Sequence, residues 1–125
     1  MKLLLDTHVV LWWTHDSRRL SDTARELVSD SRHDVLLSAV VAWEIAIKRA
    51  LGKLKVRPAL VAELLTDGGA AELAVSVAHA TELERLPMHH RDPFDRMLVA
   101  QARVEGALLV SSDEALRSYD VPVSW

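Results

Sequence analysis

Short apolar runs alternate along this chain with longer segments in which apolar residues recur at helical spacing. Lys2–Leu5, Val35–Leu37 and Ala107–Val110 are such runs, and their length and composition are typical of strands buried on both faces. Leu73–Val77 is a further candidate strand. Val121–Val123 contains a proline, which cannot donate to a strand ladder, so we expect this piece at a sheet edge. Strands that alternate with helices predict an α/β fold with a parallel sheet covered on both faces.

The helices between these strands are predicted from their capping residues. Several segments in which apolar residues recur at helical spacing are preceded by serine or Asp-Pro and followed by glycine. This is the usual pattern of helix starts and stops. The predicted helices are Val9–Trp13, the segment that follows Ser21, Ala39–Leu51, the segment from Pro58 to Gly68, His79–Leu86 and the segment from Asp92 to Gly106.

Length and composition limit the class of protein. The chain has 125 residues, of which 50% are hydrophobic, so we expect one domain over residues 1–125 with a real core. It contains no cysteine, which excludes disulfides, zinc-thiolate sites and cysteine nucleophiles. No stretch free of Asp, Glu, Lys and Arg exceeds nine residues, whereas a membrane helix needs about 20. With an acid already at Asp6, a signal peptide is not expected, and we predict a cytoplasmic protein that does not bind membranes.

Four acidic residues fall where the predicted topology brings strand ends together. Asp6 follows the first strand and Asp113 follows the strand at Ala107–Val110. Glu44 lies early in the helix that leaves the second strand, and Asp95 lies in the first turn of the helix before the Ala107–Val110 strand. Sites in open parallel sheets form at the carboxyl ends of the strands, so these four carboxylates can converge on one edge.

Each acid also has a purely structural interpretation. Asp6 and Asp113 stand where helix N-caps belong, and Asp92 with Asp95 resembles a capping box. Glu44 lies in an almost wholly apolar helical segment, where an ionised carboxylate is costly unless it is paired, hydrogen-bonded or bound to a metal. Pairing with Lys48 at i+4 would satisfy it without any site.

Convergence of the four acids would require a counter-charge. Two carboxylates about 4 Å apart repel each other by roughly 4 kcal/mol at an effective dielectric near 20. A cluster of four therefore needs protons or a cation, and an all-oxygen donor set favours Mg²⁺ or Mn²⁺ over zinc. Such an ion can polarise a phosphoryl oxygen and activate water, which is the chemistry of phosphodiester hydrolysis.

Other motifs are weaker. His90-Arg91-Asp92 spells the opening of a kinase catalytic loop, but the chain has no glycine-rich loop and is too short for that fold. The histidines lack the helical spacing of a zinc site. The tryptophans at positions 12, 13 and 43 are typical of a core or a dimer surface. Neighbours on a helix point in different directions, so either one of the adjacent pair Trp12-Trp13 faces a partner chain in a homodimer or the pair fits two core faces of a thin layer.

Five cations without an intervening acid follow Glu44, although the net charge of the chain is −3. They are compatible with a solvated helix end and also with a strip that contacts phosphates of a nucleic acid. The candidate substrate-binding residues are Lys48, Arg49, Lys53, Lys55 and Arg57, together with Arg91 and Arg96 beside Asp95.

Four segments together resemble the PIN-domain proteins, and most closely the VapC toxins of type II toxin–antitoxin systems. They are Leu4–Val9, the Ser38 to Glu44 segment, Asp92–Ala102 and Val110–Asp113, which occur in the order of the family and span essentially the whole chain. The first and third motifs are specific in combination, whereas Asp6 alone is not.

The resemblance implies a three-layer α/β/α sandwich with a central, mostly parallel sheet. It also implies a Mg²⁺- or Mn²⁺-dependent endoribonuclease in which Asp6, Glu44, Asp95 and Asp113 hold the metal. Members of the family are usually homodimers that a cognate antitoxin keeps inactive. The alternatives are a catalytically silent PIN-like module that binds RNA or protein, and another metal-dependent phosphohydrolase.

Overall fold

The computed structural model describes all 125 residues, which form five strands, six α-helices and one 3₁₀ helix. The strands are β1 (Lys2–Leu5), β2 (Asp34–Ser38), β3 (Ala71–Leu73), β4 (Leu108–Val110) and β5 (Val123–Ser124). The helices are α1 (Thr7–Thr14), α2 (Asp22–Ser29), α3 (Ala39–Ala50), α4 (Ala59–Asp67), α5 (Val77–Arg85) and α6 (Pro93–Glu105), and the 3₁₀ helix is Glu114–Ser118.

All five strands lie in one sheet in the order β3-β2-β1-β4-β5, and every neighbouring pair is parallel. The register pairs Leu3 of β1 with Val35 of β2 on one side and with Leu108 of β4 on the other. The chain therefore moves outward from β1 in one direction as far as β3 and then returns to continue on the other side. Because such crossovers are right-handed, this reversal puts helices on both faces of the sheet. The predicted α/β/α fold with a parallel sheet is confirmed.

The core follows from the apolar runs. Leu3, Leu4 and Leu5 in the central strand have no exposed surface, and neither does Leu109 in β4. Twenty-five buried hydrophobic residues form one cluster around the sheet. Three consecutive leucines, Leu3–Leu5, let β1 bury both of its faces at the centre of the sheet, and only Lys2 at its start is exposed.

The predicted helix boundaries rest on caps that the structure contains. The Ser38 hydroxyl accepts the Val40 N–H at the start of α3, and the Asp92 carboxylate accepts the N–H groups of Phe94 and Asp95 at the start of α6. Gly106 ends α6 with a φ of 65°, a conformation that glycine adopts without strain.

The prediction for the third strand was wrong in position. Instead of Leu73–Val77, β3 is Ala71–Leu73, because Ser76 already caps α5 through a capping box with His79. The same cap starts α5 at Val77 rather than at His79. Pro58, expected as the first residue of α4, is its N-cap, and Pro122 lies just outside the edge strand β5. No helix of the structure is long and apolar enough to cross a membrane.

Candidate metal centre

The order of the strands creates a switch point between β1 and β4, where ligand sites of open parallel sheets form. Asp6 follows β1 at this point and is 4% exposed. One of its carboxylate oxygens accepts the Val9 N–H at 2.9 Å, so the expected N-cap role is present. Burial nevertheless raises the pKa of Asp6, and the hydrogen bonds from the Ser111 hydroxyl and the Val9 amide oppose that rise only in part. Nearby Glu44 adds to the increase. Asp6 is therefore both a helix cap and a member of a charged cluster.

Glu44 is buried in the second turn of α3 and makes two polar contacts. Its Oε1 accepts the Thr7 hydroxyl at 2.6 Å, and its Oε2 accepts from the Lys48 ammonium group at 2.5 Å. The predicted i+4 pair with Lys48 is thus present. Hydrogen bonding to Glu44 is the main cause that raises the pKa of Lys48, and the charges of Asp92 and Asp95 contribute further. The Glu44–Lys48 ion pair is therefore close enough to Asp92 and Asp95 to interact with their charges.

Asp95 is the most strongly perturbed of the group. Its pKa is raised from 3.8 to about 7, first by burial and then by the negative charges of Asp92, Asp6 and Glu44, whereas His90 lowers it. The dependence on Asp6 and Glu44 means that three acids from β1, α3 and α6 lie within electrostatic reach of each other. The metal-free cluster therefore retains a proton at Asp95 to a higher pH than an isolated carboxyl group would.

Asp113 joins the cluster through a histidine. Nε2 of His90 lies 3.1 Å from Oδ2 of Asp113 and 3.2 Å from Oδ2 of Asp95. Ligand atoms of these three residues all lie within 4.8 Å of one another. Asp113 also accepts the Ala115 N–H at 3.0 Å, so the expected cap of the following turn is present as well.

The structure thus brings the four acids predicted from the sequence to one end of the sheet, at the carboxyl ends of β1 and β4. Their donor atoms are carboxylate oxygens, which carry negative charge when ionised, and burial is the main cause that raises the pKa of Asp6 and of Asp95, with smaller contributions from neighbouring carboxylates. A hard divalent cation would neutralise that charge with the ligand type it prefers. The residues present therefore fit a divalent metal.

The structure separates the cations of the predicted strip into one that is ion-paired and four that are exposed. Lys48 is engaged by Glu44, whereas Arg49, Lys53, Lys55 and Arg57 are exposed on α3 and the segment that follows it. Arg49 and Lys55 line an open groove of about 560 Å³. Arg91 is exposed next to the cluster. Arg96 instead donates to the carbonyl oxygen of Pro87 and to the Tyr119 hydroxyl, so its guanidinium group has a structural role.

Sequence reasoning missed three polar residues of the site. His90 lies between two of the acids, Thr7 donates to Glu44, and the buried Ser111 donates to Asp6. Ser111 directly follows β4, and Thr7 lies two residues after β1 at the start of α1. Their position near the strand ends was the available signal in the sequence. His90 lies in a loop, and no pattern in the sequence places its ring in the cluster.

The tryptophans lie in two different environments. Trp12 and Trp13 are both partly buried against the core, and Trp12 also packs on His8 and Trp125. The exposed member is Trp43, which retains 57% of its surface and meets Phe94 edge-on at 5.0 Å between ring centroids. The homodimer remains a prediction, and Trp43 is the better candidate for its interface.

Known proteins share the family and the fold of this chain. The family model of the PIN domain matches residues 3–122. The Ribonuclease VapC22 of Mycobacterium tuberculosis is 33% identical over 128 residues, which cover 96% of this chain and 93% of that protein. Among solved structures, VapBC2 from Rickettsia felis bound to a DNA fragment from its promoter has a TM-score of 0.71 at 14% identity. That match covers 100% of this chain and 99% of the chain in the solved structure. VapBC-1 from nontypeable Haemophilus influenzae has a TM-score of 0.65 at 14% identity, with 99% and 97% covered. With its parallel sheet, its acidic cluster at the β1–β4 switch point and a family match over almost its whole length, the chain belongs to the PIN domain family.

Proposed function

We propose that this protein is a divalent-metal-dependent endoribonuclease, the toxin of a type II toxin–antitoxin system, and that residues 1–125 act as one domain. The observation that carries the proposal is that Asp6 and Glu44 lie within electrostatic reach of Asp95, whose pKa is raised to about 7, while ligand atoms of Asp95, Asp113 and His90 lie within 4.8 Å of one another. Perturbed carboxylates of this kind are a mark of functional sites. The 33% identity to a named ribonuclease supports the choice of RNA as substrate.

In this proposal the four acids hold one or two divalent ions, with Mg²⁺ and Mn²⁺ as the candidates. The bound metal would polarise the scissile phosphate and lower the pKa of a water nucleophile. The protein supplies the geometry: Thr7 and Lys48 orient the Glu44 carboxylate, and the backbone N–H of Val9 orients that of Asp6. Groups held in this way need little reorganisation when charge develops during the reaction.

The direct test is RNA cleavage under defined metal conditions. We expect the wild-type protein to cut RNA with Mg²⁺ or Mn²⁺ and not with EDTA. Asp6→Asn and Asp95→Asn should lose activity while remaining folded by circular dichroism, because each is nearly isosteric and reduces the charge of the cluster. Asp67→Asn, at the exposed end of α4, is the matched control and should remain active.

The same assay separates the alternatives. Hydrolysis of p-nitrophenyl phosphate but not of RNA would identify a general phosphohydrolase. RNA binding without cleavage under any metal would identify a silent binding module, and either result would overturn the proposal. Full cleavage activity in Asp95→Asn would remove that residue from the site.

The substrate contacts follow from the exposed cations. We propose that the strip formed by Arg49, Lys53, Lys55 and Arg57 binds phosphates that flank the scissile bond, since an acidic protein must hold RNA locally. Each phosphate neutralised on a single strand contributes about −0.7 to the slope of log affinity against log salt. A triple glutamine variant of Lys53, Lys55 and Arg57 should therefore flatten that slope by up to about 2.

RNA affinity of the strip variant is measured across a salt series in a catalytically inactive Asp113→Asn background with Ca²⁺. A triple glutamine variant of exposed arginines outside the strip, at positions 18, 19 and 85, is the control. An unchanged slope in the strip variant would leave these cations as solvated surface and turn attention to Arg91.

We also propose a cognate antitoxin as the partner and the cytoplasm as the place of action. Structural neighbours are solved as VapBC and FitAB assemblies, which supports a protein partner of this kind. Co-purification of this chain with the product of the neighbouring reading frame, and loss of RNA cleavage in that complex, is the expected result. Cleavage that the bound partner leaves unchanged would contradict an inhibitory role.

A further inference from the structure

The loop between α5 and α6 delivers one imidazole ring into the gap between two of the acids. Nε2 of His90 lies 3.2 Å from Oδ2 of Asp95 and 3.1 Å from Oδ2 of Asp113. These two acids come from separate elements, the first turn of α6 and the loop after β4. His90 is therefore a direct link between them, and its side chain is only 22% exposed.

The backbone of the same loop defines which ring nitrogen donates. Nδ1 of His90 accepts the Asp92 N–H at 3.2 Å, so its lone pair is already engaged. In a neutral imidazole the proton then resides on Nε2, and that N–H donates to Oδ2 of Asp113, while Oδ2 of Asp95 lies 3.2 Å from the same nitrogen. A nitrogen that carries a proton cannot coordinate a metal. His90 is consequently a hydrogen-bond donor to Asp113 and a close neighbour of Asp95, rather than a third ligand beside them.

A buried tyrosine holds the loop in place. The hydroxyl of Tyr119, which is 3% exposed, accepts the backbone N–H of His90 at 2.9 Å and an N–H of Arg96 at 3.2 Å. The Arg96 guanidinium group also donates to the Pro87 carbonyl oxygen at 2.9 Å. Both ends of the loop are thus fastened to the body of the protein, so the imidazole is fixed in position before any ligand arrives.

We propose that His90 is a positioning residue that holds the carboxylates of Asp95 and Asp113 at the separation a divalent ion requires, while Tyr119 fixes His90. The inference rests on the proposed metal-binding function of the cluster. Without the donor, two like charges move apart, and binding an ion must first bring them together again. With His90 in place, the Oδ2 carboxylate oxygens of both acids stay within 3.2 Å of one nitrogen and therefore close to each other. Donors that orient metal ligands typically affect metal affinity by 10–100-fold.

The test is Mn²⁺ binding by titration calorimetry in the absence of RNA, so activity plays no part in the readout. His90→Ala should weaken Mn²⁺ affinity about tenfold. His90→Gln, which keeps an N–H donor of similar reach, should recover most of the loss. His89→Gln is the matched control in the same loop, where the exposed ring packs edge-on against Tyr119, and its affinity should equal that of wild type.

Melting temperatures in EDTA distinguish positioning from a merely structural role, which would lower stability without changing the affinity of the folded protein. Unchanged or tighter Mn²⁺ binding in His90→Ala would overturn the inference, because the ring would then be a competitor of the metal. If His90→Ala fails to fold, Tyr119→Phe replaces it. We then expect weaker Mn²⁺ affinity, and unchanged affinity would again refute the role of His90.

Absence of Mn²⁺ binding to the wild-type protein would overturn the proposed metal site itself. Loss of binding in Asp95→Asn but not in His90→Ala would overturn only the inference about His90.

Discussion

Replacing Asp95 by asparagine should stabilise the metal-free protein at high pH and abolish its catalysis. The pKa of this carboxyl is raised from 3.8 to about 7 by burial and by the charges of Asp92, Asp6 and Glu44. The folded state therefore favours the neutral acid. Asparagine has nearly the same shape as the neutral acid and cannot ionise, so it avoids the cost of charging that position.

The magnitude follows from the change in pKa on folding. A rise of about 3 units corresponds to roughly 4 kcal/mol of lost stability once the group is ionised in both states. The side chain retains 20% of its surface, so solvent screens part of this effect, and we expect about 2 kcal/mol. Because the folded pKa is the higher one, the wild type is unaffected below about pH 4 and loses this stability progressively as pH rises through about 7. The advantage of Asp95→Asn should therefore grow between pH 4 and 8 and then level off.

Urea and thermal unfolding in EDTA at pH 5 and pH 8.5 measure the effect. At pH 8.5 the variant should melt about 5–10 °C above wild type, given the size of the domain, and at pH 5 the difference should be much smaller. Excess Mn²⁺ should reverse the order, because only the wild type keeps the full set of ligands and gains binding free energy. Asp67→Asn, on the exposed end of α4, should show neither change.

Two results would refute this reasoning. Lower stability of Asp95→Asn at pH 8.5 would mean that the contact of Asp95 with His90 outweighs the repulsion from the other acids. An equal gain in stability of Asp95→Asn at pH 5 and pH 8.5 would mean that the variant is stabilised by better packing rather than by the removal of a charge. Either outcome would remove the electrostatic argument for a cation at this cluster.

Other consequences of the structure can be measured separately. Gly106→Ala should cost about 1 kcal/mol in urea unfolding, because φ at Gly106 is 65° while a Cβ would meet open space; a loss beyond about 3 kcal/mol would point to a steric conflict instead. Sedimentation velocity should find a homodimer at micromolar concentration, which Trp43→Arg converts to monomer. A monomeric wild type would contradict the homodimer, and a dimeric variant would remove Trp43 from its interface.

Much of the fold could be predicted from local signals. The apolar runs at Lys2–Leu5 and Val35–Leu37 indicated strands buried on both faces, and this burial is what places β1 at the centre of the sheet. Asp92 and Gly106 predicted both ends of α6 because caps act on the nearest backbone groups. The predicted third strand was misplaced because Leu73–Val77 is mostly apolar, like the other predicted strands. Only the cap at Ser76 shows that a helix begins at Val77.

For the candidate site, the sequence by itself determined which residues carry charge and at which strand ends they stand. Asp6 and Asp113 follow apolar runs, and that local fact was enough to predict their convergence. Tertiary structure decided everything that depends on distance between separate elements. The raised pKa of Asp95 results first from burial in the folded protein and then from neighbouring carboxylates, among them Asp6 after β1 and Glu44 on α3. The role of His90 depends on a loop that Tyr119 holds in place. Electrostatic and hydrogen-bond energies are functions of separation in space, and separation along the chain does not specify it for residues of different elements.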